Sequence, residues 1–137
     1  MKYLIDANVG LEAVLGRAHS EDVVRMLTQM PAGVLATTDF VLHSVGLWLC
    51  PSRGKEFRLF LDDIISRRVN TLHLPPSDLY RVLDVMAGNG LDFDDAFQYV
   101  AAERFNLQLV SFDADFDNTP RGRMTPAQAL IAATTGK

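Results

Sequence analysis

Apolar residues along this chain fall into two alternating patterns. Runs of strand length stand at Lys2 to Ile5, Val34-Leu35-Ala36-Thr37, Val69 to Leu74 and Gln108-Leu109-Val110-Ser111. Short, nearly continuous apolar runs of this kind read as strands buried on both faces. Between them the spacing turns helical. Val9, Leu11, Val14 and Leu15 form one such set, then Val23, Val24, Leu27 and Met30, then Phe40 to Cys50. Phe57, Phe60, Leu61, Ile64 and Ile65 follow, then Leu79, Val82, Leu83 and Met86, then Ala96, Phe97, Val100 and Ala101.

Punctuation agrees with the periodicity. Ser20, Asp39, and the pair Ser77-Asp78 stand where helix N-caps belong, while Pro31 with Gly33, Pro51-Ser52-Arg53-Gly54, and Gly88-Asn89-Gly90 stop the segments before them. Asp113 to Gly122 reads as a polar loop and Thr125 to Leu130 as a closing helical turn. Strands alternating with helices predict an α/β fold, a central parallel sheet covered by helices, with residues 1–137 as a single domain.

Composition narrows the function classes. The chain has 137 residues, 48% of them hydrophobic, enough for a real core. Thirteen Lys and Arg against seventeen Asp and Glu give a net charge of -4, which excludes the large basic face of a protein that coats nucleic acid. Cys50 is the only cysteine, so a disulfide within the chain and a cysteine-built zinc cluster are both excluded. It reads as a small buried hydrophobe. Trp48 reads as a core or interface anchor, and the Phe57 to Ile65 stripe as core. No signal-peptide centre or membrane-length apolar run is present, and a soluble, cytoplasmic protein is expected.

The chemistry lies in the acids. Asp6 follows one apolar run, Asp92, Asp94 and Asp95 open a helix, and Asp113, Asp115 and Asp117 follow another run. Open α/β sheets place their sites at the C-terminal ends of strands, and acids converging there repel one another unless a cation intervenes. A hard divalent ion with oxygen ligands is the natural candidate. Each acid also has a structural reading. Asp6 could cap the following helix, with Asn8 holding its carboxylate or taking over the cap. Asp92, Asp94 and Asp95 suit a helix start because the macrodipole favours negative charge there. Asp95 shares a helix side with Gln98 and Tyr99. The period-two aspartates after Ser111 lack the glycine and glutamate of an EF-hand loop.

Tyr3-Leu4-Ile5-Asp6-Ala7-Asn8, the Asp95-Ala96 pair opening an Ala-rich helix, and Leu109-Val110-Ser111-Phe112-Asp113-Ala114-Asp115-Phe116 together resemble the PIN domain, in particular the VapC-type toxin ribonucleases. The resemblance runs from Tyr3 to Leu130. It implies a three-layer fold, a pocket holding Mg2+ or Mn2+, and cleavage of single-stranded RNA. Asp6, Asp95 and Asp113 match the family's catalytic acids, Asp115 an auxiliary metal-binding acid, and Ser111 the hydroxyl that steadies the pocket. An antitoxin partner and a homodimer are implied as well.

One family acid is replaced. A glutamate usually stands early in the helix after the second strand, and here that position falls at Ser44, or at His43 if shifted by one. Arg121 and Arg123 are expected near the scissile phosphate, whereas Arg53, Lys55, Arg58, Arg67 and Arg68 read as solvated faces. The leading expectation is a metal-dependent endoribonuclease, the toxin of a toxin–antitoxin pair. Its rivals are a weakened PIN fold that binds RNA or protein, and a doubly wound regulator whose acids surround a phospho-acceptor. The second rival fits poorly, because Val110 to Asp117 contains no lysine.

Overall fold

The structure, a computed structural model, describes residues 1–135. Its centre is a four-stranded sheet in the order β3-β2-β1-β4, every neighbouring pair parallel. The strands are β1 (Tyr3–Ile5), β2 (Leu35–Thr38), β3 (Asn70–Leu72) and β4 (Gln108–Val110). The helices are α1 (Ala7–Val14), α2 (Ser20–Gln29), α3 (Asp39–Leu49), α4 (Gly54–Ser66), α5 (Leu79–Asn89), α6 (Phe93–Phe105) and α7 (Pro126–Thr135).

Side chains alternate across the sheet, and each face has its own core. Leu4, Ala36 and Leu109 pack with Val82, Val85, Ala96 and Val100 of α5 and α6. Tyr3, Ile5, Leu35 and Val110 pack with Val9, Val23, Met26 and Ala129 of α1, α2 and α7. Three layers result. A smaller cluster of Val41, Val45, Leu49 and Phe60 joins α3 and α4 to α1. Gly10 makes that junction possible, since a Cβ there would overlap the Phe60 ring.

The strand order positions the site. The chain leaves β1 towards β2 on one side, while β4 lies on the other, so the strand order reverses beside β1. Doubly wound sheets open a crevice at such a switch point, outside the carboxyl ends of the strands. Asp6 and Ser111 emerge there.

Several local expectations are corrected. Thr38, not Asp39, caps α3, its hydroxyl accepting from Val41 N at 3.1 Å. His19 occupies the cap position of α2 without a side-chain bond, so Ser20 is already helical. Ser77 and Asp78 lie in a 3-10 turn before α5, and Asp78 accepts from Arg104 at 2.7 Å instead of capping. The closing turn is a full helix, and the polar loop contains a 3-10 turn, Ala114–Asn118, pinned by the fully buried Phe116. Cys50 is exposed because Leu49 takes the buried position at the end of α3. Trp48 is 56% exposed with the Arg17 guanidinium over its ring, and Ile65 also faces solvent.

Candidate metal centre

Asp6 is delivered by β1 and held from two sides. Its Oδ1 accepts from Ala7 N at 2.9 Å and its Oδ2 from Ser111 Oγ at 2.8 Å. Asn8, on the first turn of α1, donates from Nδ2 to Ser111 Oγ at 3.1 Å and accepts from Phe112 N at 3.2 Å. Asn8 and Ser111 thus clamp the ends of β1 and β4 together and fix the Asp6 rotamer. Burial pushes the Asp6 carboxyl up to about 6 against the lowering effect of its two hydrogen bonds, and the charges of Asp113 and Asp94 push the same way as burial.

α6 brings the next acid. Asp92 is its N-cap, accepting from Asp95 N at 3.0 Å, and is therefore occupied with the helix end. Asp95 stays free of that duty, half-buried at the crevice. Burial, then a hydrogen bond with the Asp113 carboxyl and the charge of that group, push Asp95 up to about 8. Beyond β4, Asp113 N donates to Ser111 Oγ at 3.0 Å, while the Asp113 carboxylate accepts from Asp115 N at 2.9 Å.

Asp95, Asp113 and Asp115 each offer one carboxylate oxygen within 4.8 Å of the others. Asp6 lies outside that trio of oxygens, although its charge is felt by Asp95. Three oxygens from carboxylates that cannot all ionise comfortably suit a hard divalent cation, which would displace the shared proton and take oxygen ligands. The donor set fits Mg2+ or Mn2+.

The position of the missing glutamate is also resolved in the fold. Phe40 packs its ring on Phe93 and Phe97 at the opening of α6, and Ser44 lies one turn further along the same side of α3. His43 is exposed and lines the groove between α3 and α4 with Leu42, Gly46 and Phe57. Ser44 is half-buried on that side of α3.

Both arginines expected near a phosphate are committed elsewhere. Arg121 Nη2 donates to the carbonyls of Ala102 and Leu107 and to Asn106 Oδ1, at the far end of α6 and the start of β4. Arg123 pairs with both oxygens of Asp117 at 3.1 Å and donates to Ser111 O at 3.1 Å. Their proximity in sequence to Asp117 hid these structural roles. Sequence reasoning set Gln98 on the side of Asp95 but gave no role to it or to Thr38, its buried partner beside the crevice. The available signal was a glutamine in the midst of the apolar α6 positions Ala96, Phe97, Tyr99 and Val100.

The sequence profile of the PIN domain matches residues 3–122. The chain belongs to the PIN-domain family. Its fold is that of solved PIN proteins. VapC20 from Mycobacterium tuberculosis, described as a sarcin-ricin loop cleaving toxin, superposes with a TM-score of 0.76 at 17% identity, covering 91% of this chain and 100% of that one. A toxin-antitoxin complex from Klebsiella pneumoniae gives 0.73 at 19% identity, with 91% and 98% covered. A protein from Pyrobaculum aerophilum gives 0.70 at 23% identity, with 98% and 96% covered. No curated protein matches the sequence. Among the described residues, no helix is long and apolar enough to cross a membrane.

Proposed function

We propose that this PIN-domain protein is a metal-dependent endoribonuclease acting on single-stranded RNA, the toxin of a toxin–antitoxin pair. The observation that carries the reading is the meeting of Asp95, Asp113 and Asp115 at the switch point of the sheet, with Asp95 pushed to about 8. Family membership supplies the nuclease context, and structural neighbours that are toxins or toxin-antitoxin complexes support an antitoxin partner. A homodimer belongs to the same reading.

Asp95, Asp113 and Asp115 would hold the Mg2+ or Mn2+, with Asp6 behind them. The bound cation supplies Lewis-acid activation of a water nucleophile and neutralises charge on the phosphoryl oxygens. Ser111 and Asn8 keep Asp6 in one rotamer, so its negative charge is preorganised. Asp113 is oriented from both directions, its N–H on Ser111 and its carboxylate on the backbone of Asp115. No side-chain nucleophile is needed.

The test is cleavage of a panel of single-stranded RNAs by the purified chain. Cleavage is expected with Mg2+ or Mn2+, to stop with a chelator, and to fall at least a hundredfold in Asp95→Asn. One feature of the sequence favours a second reading: the position of the family's usual glutamate falls at Ser44, or at His43 if shifted by one. A chain that binds RNA or a partner protein but cuts nothing in the panel is a binding module, and the nuclease assignment fails.

A further inference from the structure

Gln98 is 2% exposed, on α6, one turn beyond Asp95. Its Oε1 accepts from Thr38 Oγ1 at 2.7 Å. The same Thr38 oxygen accepts from Val41 N, so the one hydroxyl bridges the start of α3 to the Gln98 amide. Nε2, the other arm of that amide, is buried without a hydrogen-bond partner. A buried donor left unmade is costly, and native folds rarely keep one without a use.

The sheet register says where this arm lies. Leu4 pairs with Ala36 on β2 and with Leu109 on β4. Two residues further on, the same register sets Asp6 between Thr38 and Ser111, all three on the face covered by α6. Gln98 is thus tied to the row that forms the pocket floor. Helical side chains lean towards the N-terminus, which tilts Gln98 towards the turn carrying Asp95.

We propose that Gln98 is a positioning residue for the acidic pocket, its Nε2 donating to the outer oxygen of Asp95 when the acids hold a divalent cation. This rests on the metal-centre reading above. Asp95 and Asp113 each offer a carboxylate oxygen within 4.8 Å of the other's; a cation held by these acids would take such oxygens, and a donor on the remaining Asp95 oxygen would keep that carboxylate oriented. Gln98 is the unpartnered donor one turn away. Thr38 holds it ready.

Calorimetric titration with Mn2+ tests the idea on wild type, Gln98→Met and Thr38→Val, alongside thermal melting without metal. Gln98→Met keeps the volume and removes the orphan donor. We expect Mn2+ affinity to drop about tenfold or more in Gln98→Met and by a smaller factor in Thr38→Val, where the amide loses its anchor. Both variants break the buried Thr38–Gln98 bond and should lower the metal-free melting temperature, so the positioning role shows as a loss of Mn2+ affinity in Gln98→Met that exceeds the loss in Thr38→Val. If wild type binds Mn2+ and Gln98→Met binds it equally well, the positioning role is wrong while the metal centre stands. If wild type binds no Mn2+, both fall. Should Gln98→Met fail to fold, Gln98→Asn, which withdraws the amide by one methylene, must show the same loss of affinity or the proposal is overturned.

Discussion

The two ends of the β4 layer use polar groups in opposite ways. At its start, Arg121 gathers the carbonyls of Ala102 and Leu107 and the side chain of Asn106, while Tyr99 Oη accepts from Arg121 N at 3.3 Å. Donors there meet acceptors, and a cation closes the end of α6. At the other end four aspartates crowd together, two of them raised well above the ordinary carboxylate range. Among the described residues, the groups that hydrogen-bond them are a hydroxyl and backbone N–H groups. One end is arranged for stability. The other carries unrelieved repulsion, and sites that bind cations are where a fold tolerates it.

The comparison breaks most visibly if the two ends do not separate function from stability. Asp113→Asn should cut RNA cleavage at least a hundredfold and leave the metal-free melting temperature unchanged or higher, because it removes a like charge from the cluster. Arg121→Ala should do the reverse. Its loss leaves two backbone carbonyls without their side-chain donor, a cost of about 1–3 kcal/mol, while cleavage below the melting range stays within about threefold of wild type. Paired melting curves and cleavage rates decide it. Equal effects of both variants on turnover would erase the distinction between the ends.

A pH series sharpens the same contrast. Asp6 is pushed to about 6 in the fold from an ordinary value of 3.8, so between those values the folded chain binds more protons than the unfolded one. Stability without metal should therefore be fullest below pH 4 as far as this group is concerned. It should fall as pH rises through about 6, by about 3 kcal/mol at most from Asp6. Asp95 extends the decline in the same direction towards pH 8. Saturating Mg2+ should reverse the loss at neutral pH, since binding to the folded state alone stabilises it. Denaturant midpoints that are flat from pH 4 to 8 in chelator would show that the crowding carries no energetic consequence.

The contrast also explains what the sequence revealed. Strand-length runs ending in aspartate announced the carboxyl edge of a parallel sheet because Leu4, Leu109 and Val110 are buried whichever way they point. The acids at that edge were legible for the same reason. Arg121 was not, because the carbonyls it serves belong to residues 102 and 107, distant in sequence and invisible to any local pattern. The bond between Thr38 and Gln98 was hidden likewise, since it spans α6 and the end of β2. Cys50 was misplaced, and Trp48 left between core and interface, because hydrophobicity alone does not say which of neighbouring apolar positions in α3 faces inward. Leu49 does.

The smallest expected effect belongs to Asp117, which follows Asp113 and Asp115 at the same two-residue spacing. Its two oxygens are taken by Arg123 at 3.1 Å, and its side chain is 56% exposed while that of Arg123 is only 16% exposed. Water screens the acid's end of this pair, so it is worth about 0–1 kcal/mol. The inward-facing guanidinium does more, because its Nη1 also donates to Ser111 O, directly behind the hydroxyl that holds Asp6. Asp117→Asn keeps one acceptor for Arg123 and should lower cleavage less than about threefold, with a change in stability below about 1 kcal/mol. Arg123→Ala, by contrast, frees the carbonyl of Ser111 and loosens the β1–β4 clamp, and should exceed Asp117→Asn in both measurements. If Asp117→Asn proved as damaging as Asp113→Asn, the cluster would include a third acid from the β4 side, and the line drawn between the repelling and the neutralised groups at that edge would have to move outward past Phe116.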